Sequence, residues 1–159
     1  MVFRYLSTSE FSIDNVPLKF GDSRESVRMK IGGSYEESDK TISIGDSDAP
    51  LIQRRDIYDY IDSTGDFYFL NYDTNDQLTE LEIQRCEKIY VISTQFNFDS
   101  ELDWIAEELS KYSLVRKKGD GEYLFKDLHI SIIDEMHMGG EEESTLSYFY
   151  FASDISHLL

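Results

Sequence analysis

A chain of 159 residues, 40% of them hydrophobic and including 10 Phe and 11 Tyr, has the size and apolar content of one domain. Such a domain buries roughly 70% of the surface its unfolded form exposes, which excludes the aromatic-poor profile of a disordered acidic chain. Against 32 Asp plus Glu stand 15 Lys plus Arg, a net charge of −17 that repels nucleic acid and speeds encounter with a basic partner.

Residues 1–9 carry one basic side chain, Arg4, and no apolar run of signal-peptide length. No segment approaches the roughly 20 apolar residues that span a bilayer, so a cytoplasmic protein without membrane association is expected. Cys86 is the only cysteine, which leaves no intrachain disulfide and reads as structural.

The first element follows Phe20-Gly21. Asp22 is placed to cap a helix and Glu25 to complete a capping box, Val27 and Ile31 form one buried stripe, and Gly32-Gly33 closes the end, so a helix is expected over 22–31. Residues 34–51, rich in Ser, Asp, Glu and Gly, read as a loop or a weak edge strand. Residues 56–61 alternate, Ser63-Thr64-Gly65 turns, 66–72 returns as an aromatic strand, and Asp73-Thr74-Asn75-Asp76 turns into a strand over 78–83.

A similar order follows. Asp99 or Ser100 can cap a second helix that carries Leu102, Ile105, Ala106 and Leu109 on one face and ends near Tyr112. Residues 114–117, a turn at 118–121, then 122–125 and 128–133 form a second meander, and 145–151 adds a strand. The expected fold is a single α+β domain, 1–159, with an antiparallel sheet of roughly six or seven strands and two helices on one face. It reads as two helix-plus-meander units, 16–92 and 96–159, with the other face partly open to a partner.

Catalytic patterns are missing. His129, His137 and His157 have no metal-ligating spacing, Gly32-Gly33 and Gly139-Gly140 lack the lysine of a phosphate loop, and no Ser sits in a nucleophile elbow, so no catalytic residue, metal or cofactor is expected. What stands out is Tyr interleaved with acid: Tyr35, Glu36 and Glu37; Asp56, Tyr58, Asp59 and Tyr60; and Glu141, Glu142 and Glu143 ahead of Tyr148 and Tyr150. These are the candidate partner-binding residues. Tyr buries a large ring with little rotamer loss, and the carboxylates can meet Lys or Arg of a basic partner. The plainer alternative is that sheets are often aromatic and exposed loops often acidic.

The run Phe20-Gly21-Asp22-Ser23-Arg24-Glu25-Ser26-Val27-Arg28, followed by Ile31-Gly32, then Asn71-Tyr72-Asp73 and Leu78-Thr79-Glu80-Leu81-Glu82, resembles small bacterial immunity proteins. The resemblance covers about residues 20–84. It implies an acidic cytoplasmic protein, encoded beside a secreted toxin, that neutralises it stoichiometrically. The implied partner is a basic toxin domain, such as a nuclease, whose cleft an acidic surface occludes. The alternative is a small-ligand-binding or enzymatic α+β domain with an unrecognised pocket.

Overall fold

The computed structural model describes residues 1–42, 50–118, 121–134 and 144–159. The chain opens with strands β1 (Val2–Ser7), β2 (Glu10–Ile13) and β3 (Val16–Lys19), followed by helix α1 (Arg24–Ile31). Strands β4 (Glu36–Ile42), β5 (Leu51–Tyr60), β6 (Asp66–Tyr72) and β7 (Leu78–Arg85) then form a meander. A hairpin, β8 (Lys88–Val91) and β9 (Thr94–Phe96), leads into α2 (Leu102–Ser110). Strands β10 (Val115–Lys118), β11 (Glu122–Phe125), β12 (Ile130–Asp134) and β13 (Leu146–Ala152) complete the order, with a 3₁₀ turn at Ser156–Leu158.

Two sheets result. One has five strands in the order β3-β2-β1-β8-β9, with β1 and β8 parallel; the other has eight antiparallel strands in the order β10-β11-β12-β13-β7-β6-β5-β4. The expected α+β class is found, and the two meanders do join edge to edge, through Phe149 opposite Ile83 and Phe151 opposite Leu81. The expected count of six or seven strands is corrected to eight in this sheet, because 36–42 forms a full edge strand. The second sheet is also a correction: it packs against the face that was expected to carry the two helices alone, so the helices cover only the two ends of that face. Strands β2, β3, β8 and β9 have three or four residues each, too few to display alternation, and they are held by pairing.

Local chemistry explains the helix ends. Ser23, not Asp22, caps α1, its hydroxyl accepting from Ser26 N at 3.3 Å. Asp22 instead accepts from Lys30 Nζ at 2.7 Å. Gly33, with φ of 73°, is both left-handed and crowded: a Cβ there would lie 2.6 Å from Tyr60 Oη, so only glycine fits. In α2, Leu102, Ile105, Ala106 and Leu109 are buried as the spacing predicts, while Ser100 bonds Asn97 instead of capping the helix.

The core lies between the two sheets. Strand β13 turns Phe149 and Phe151 toward the smaller sheet, where their rings meet Phe3 at 5.2 and 6.1 Å. Phe151 also meets Phe11 and Phe20, at 5.8 and 4.8 Å. Helix α1 covers the β5 end of this face and α2 the β11 and β12 end. By the strand's period of two, Tyr148 and Tyr150 point to the opposite face.

One turn is strained. Val91 pairs with Thr94, so Ile92 and Ser93 make a two-residue hairpin loop, and Ile92 takes a φ of 56° with its side chain half exposed. A β-branched residue pays heavily for that conformation, whereas glycine does not. Ile92→Gly is therefore expected to stabilise the fold by about 1 kcal/mol in urea unfolding. A loss of stability would show that the exposed side chain contributes packing that outweighs the strain.

Candidate partner-binding face

The sequence candidates divide between the two faces of the eight-stranded sheet. Along β5, Asp56, Tyr58 and Tyr60 point to the covered face, while Arg55, Ile57 and Asp59 point outward. On the neighbouring edge, Glu37 lies opposite Asp56, and Glu36 opposite Ile57.

The covered group forms a clasp under α1. Asp56 is fully buried and accepts from Arg24 Nε and Nη2 at 3.0 and 2.7 Å and from Arg28 Nε and Nη2 at 2.8 and 2.6 Å. Burial alone would raise the Asp56 carboxyl, but hydrogen bonds from Arg28 and Arg24 outweigh it and hold it below the ordinary carboxylate range. Arg24 also forks onto Asp39 at 3.0 and 2.9 Å, and Arg28 reaches Glu37 at 2.7 Å and stacks 4.2 Å over the Tyr35 ring. Tyr58 is fully buried, its ring parallel to Tyr68 at 4.8 Å, and the Tyr60 hydroxyl donates to Ser34 O at 2.5 Å.

The motif behind the family resemblance is thereby explained. Phe20 packs on Phe11 and Phe151, Ser23 caps α1, and Arg24 and Arg28 lock the helix onto β5. Its second part continues the same logic: Arg24 lies 5.0 Å over Tyr72, and Asp73 Oδ1 accepts from Asn75 N and Gln77 N to close the β6–β7 turn. These residues hold the fold. Of the candidates on this side, Tyr35 and Glu37 keep exposed surface, whereas Asp56 and Tyr58 present none.

On the outward face a second network was missed in the sequence. Arg55 donates to Asn71 Oδ1 at 2.8 Å and to Glu82 Oε1 at 2.5 Å, and Asn71 Nδ2 donates to Glu80 and Glu82 at 2.9 and 2.6 Å. Arg55 lies 4.5 Å over Phe69, whose ring meets Phe67 edge-on at 5.0 Å. Tyr148 and Tyr150 close the row beside Glu82 and Glu80; burial first and those carboxylates second push both phenols up, so they stay protonated. A signal for this row was present, because alternation in 66–72 and 78–82 groups Phe67, Phe69 and Asn71 with Glu80 and Glu82.

Comparison with protein-family models, curated proteins and solved structures returned no match. The site therefore rests on geometry. Past β13 the chain folds back over the outward face, where Ile155 and Leu158 pack with Leu124, Tyr148, Tyr150 and Ala152, and Arg116 bonds the Leu159 carbonyl. This leaves the β5 to β7 stretch uncovered: Glu36 and Asp59 are exposed, and Ile57, Phe67 and Phe69 are half-buried. Glu141, Glu142 and Glu143 lie outside the described residues. Among the described residues no group of His, Cys, Asp and Glu could hold a metal, and no helix is long and apolar enough to cross a membrane.

Proposed function

We propose that this chain is a non-enzymatic inhibitor of another protein: an immunity protein that docks a basic toxin domain, such as a nuclease, on the outward face of its eight-stranded sheet. The observation that carries the reading is the uncovered β5 to β7 stretch, where half-buried Ile57, Phe67 and Phe69 lie beside exposed Glu36 and Asp59. There Arg55 is held over Phe69 by hydrogen bonds to the buried Asn71 and Glu82, whereas Tyr150 is itself buried under the C-terminal segment. Aromatic rings fixed next to oriented carboxylates make anchors with little ordering cost on binding. A net charge of −17 adds long-range attraction for a basic surface and repulsion of nucleic acid and of anionic membranes. The likeness to immunity proteins points the same way.

Two features favour binding over catalysis. Burial pushes the Cys86 thiol up to about 12, so it is protonated and unreactive at neutral pH. In the cavity of about 270 Å³ beside Tyr60, where a small-ligand reading would look, Asp66 is already engaged by the Met1 ammonium at 2.7 Å and by the Thr64 hydroxyl at 2.6 Å.

The test begins with capture of partners from the native cell on the immobilised protein, followed by titration of a purified toxin candidate. Its activity should fall to zero at equimolar protein. Glu36→Gln with Asp59→Asn should leave folding intact and slow association, and raising salt from about 0.05 to 0.5 M should slow the native protein about ten-fold or more. A candidate that stays active in excess protein, or an association rate indifferent to salt and to both changes, would sink the inhibitor reading.

A further inference from the structure

Between the outward face and the returning C-terminal segment lies a groove of about 340 Å³, lined by Glu80, Glu122, Tyr148, Tyr150, Ser131 and His157. Its size is at the lower end of the about 300–1,000 Å³ of small-molecule sites, suited to one side chain and too small for a nucleotide cofactor. We infer that this groove receives a single arginine side chain of the docked partner; the inference rests on the docking-face reading and names the anchor within it.

Chemistry in the groove selects that group. The rings of Tyr148 and Tyr150 lie within 11° of parallel at 6.4 Å, and His157 meets Tyr150 edge-on at the same distance; Tyr150 is buried, so half-buried Tyr148 and exposed His157 are the rings a flat cation reaches. Glu80 accepts from Asn71 at 2.9 Å and Glu122 from the Ser131 hydroxyl at 3.4 Å, and neither forms an ion pair with a described side chain. By contrast Glu82, one pleat along the same strand, is already paired with Arg55 at 2.5 Å. The Arg55 to Glu82 pair, with its guanidinium 4.5 Å over Phe69, is the same combination of carboxylate and ring that the groove offers with no ion pair to Glu80 or Glu122 among the described side chains. A planar guanidinium can fork onto a carboxylate and stack on a ring at once, which a lysine ammonium cannot.

The probe is N-acetyl-arginine methylamide, with the citrulline and lysine analogues as controls, titrated into the full protein and followed by amide NMR. The arginine probe should shift Ser131, Tyr150 and His157 together, with a Kd of about 1–10 mM. Lysine should bind more weakly and neutral citrulline not at all. Glu80→Gln, isosteric and surface-accessible, should weaken arginine about ten-fold with an unchanged spectrum elsewhere. His157→Ala, an exposed position, gives a second variant that leaves the core untouched and should weaken it less. Equal shifts from arginine and citrulline, no shift at any concentration, or a response unaffected by Glu80→Gln overturns the groove assignment. The two readings separate cleanly with a purified partner in hand: inhibition that survives Glu80→Gln at full affinity keeps the docking face and removes the arginine anchor, whereas arginine binding without any inhibited partner keeps the groove and removes the inhibitor.

Discussion

Replacing Asp56 with Asn is expected to lower folding stability by about 3–5 kcal/mol, the scale of a buried ion pair broken from one side. Asp56 has no exposed surface, and Arg24, whose guanidinium it neutralises together with Asp39, is 5% exposed. An amide in the same place removes the charge and turns an NH₂ toward guanidinium donors, so the loss includes the weaker neutralisation of Arg24 and Arg28, left with Asp39 and Glu37, as well as the missing bonds. Removing Arg24 as well, in Asp56→Leu with Arg24→Met, should recover only part of that loss, because Arg28 keeps Glu37 alone as its counter-ion and Asp39 loses its fork. The pH dependence follows from the sign of the shift. Because the folded Asp56 carboxyl is held below its ordinary value, its contribution is fully present above the unfolded value of about 4 and is lost as pH falls through the lower folded value. The native protein should therefore lose stability steadily below about pH 4, and Asp56→Asn should flatten that limb. Urea unfolding across pH measures both, and a cost under about 1 kcal/mol at pH 7 would show that α1 is held by apolar contact alone.

Phe151→Ala should be comparably severe, about 3–5 kcal/mol. Its ring is fully buried at the crossing of the two sheets, meeting Phe3 at 6.1 Å, Tyr5 at 5.5 Å, Phe11 at 5.8 Å and Phe20 at 4.8 Å. These partners come from the N-terminal strands and the entry to α1, while Phe151 itself lies on the last strand, where it pairs with Leu81 of β7. Removing the ring opens a cavity with walls from both halves of the chain, and rigid backbone on each side limits collapse. Hydrogen exchange should show the β1 and β7 amides losing protection together. Loss confined to β10 through β13, or a cost near 1 kcal/mol, would mean that the two halves are stabilised independently.

Much of the architecture was legible because it is local. Alternation in 66–72 and 146–152, the turn residues between strands, and the stripe of Leu102, Ile105 and Leu109 each declare an element without reference to anything distant. The N-terminal strands were not legible in this way, although Asp14-Asn15 between Ile13 and Val16 is a hairpin signal of the left-handed kind. Four-residue strands acquire their state from the neighbours they pair with, and β1 pairs in parallel with β8 across more than 80 intervening residues.

The candidate site divides along the same line. From its own period, a strand determines that Asp56 and Asp59 point to opposite faces, and that Phe67, Phe69 and Asn71 share one. Composition likewise determines that the surface is acidic. Which face is covered is a property of two surfaces meeting, and only the tertiary structure decided it: α1 settled over β5, drew Asp56 into contact with Arg24 and Arg28, and closed off Tyr58. Two aspartates three residues apart thus became a buried counter-ion and an exposed surface charge, because the free energy that separates them comes from arginines on a helix that the strand itself does not encode.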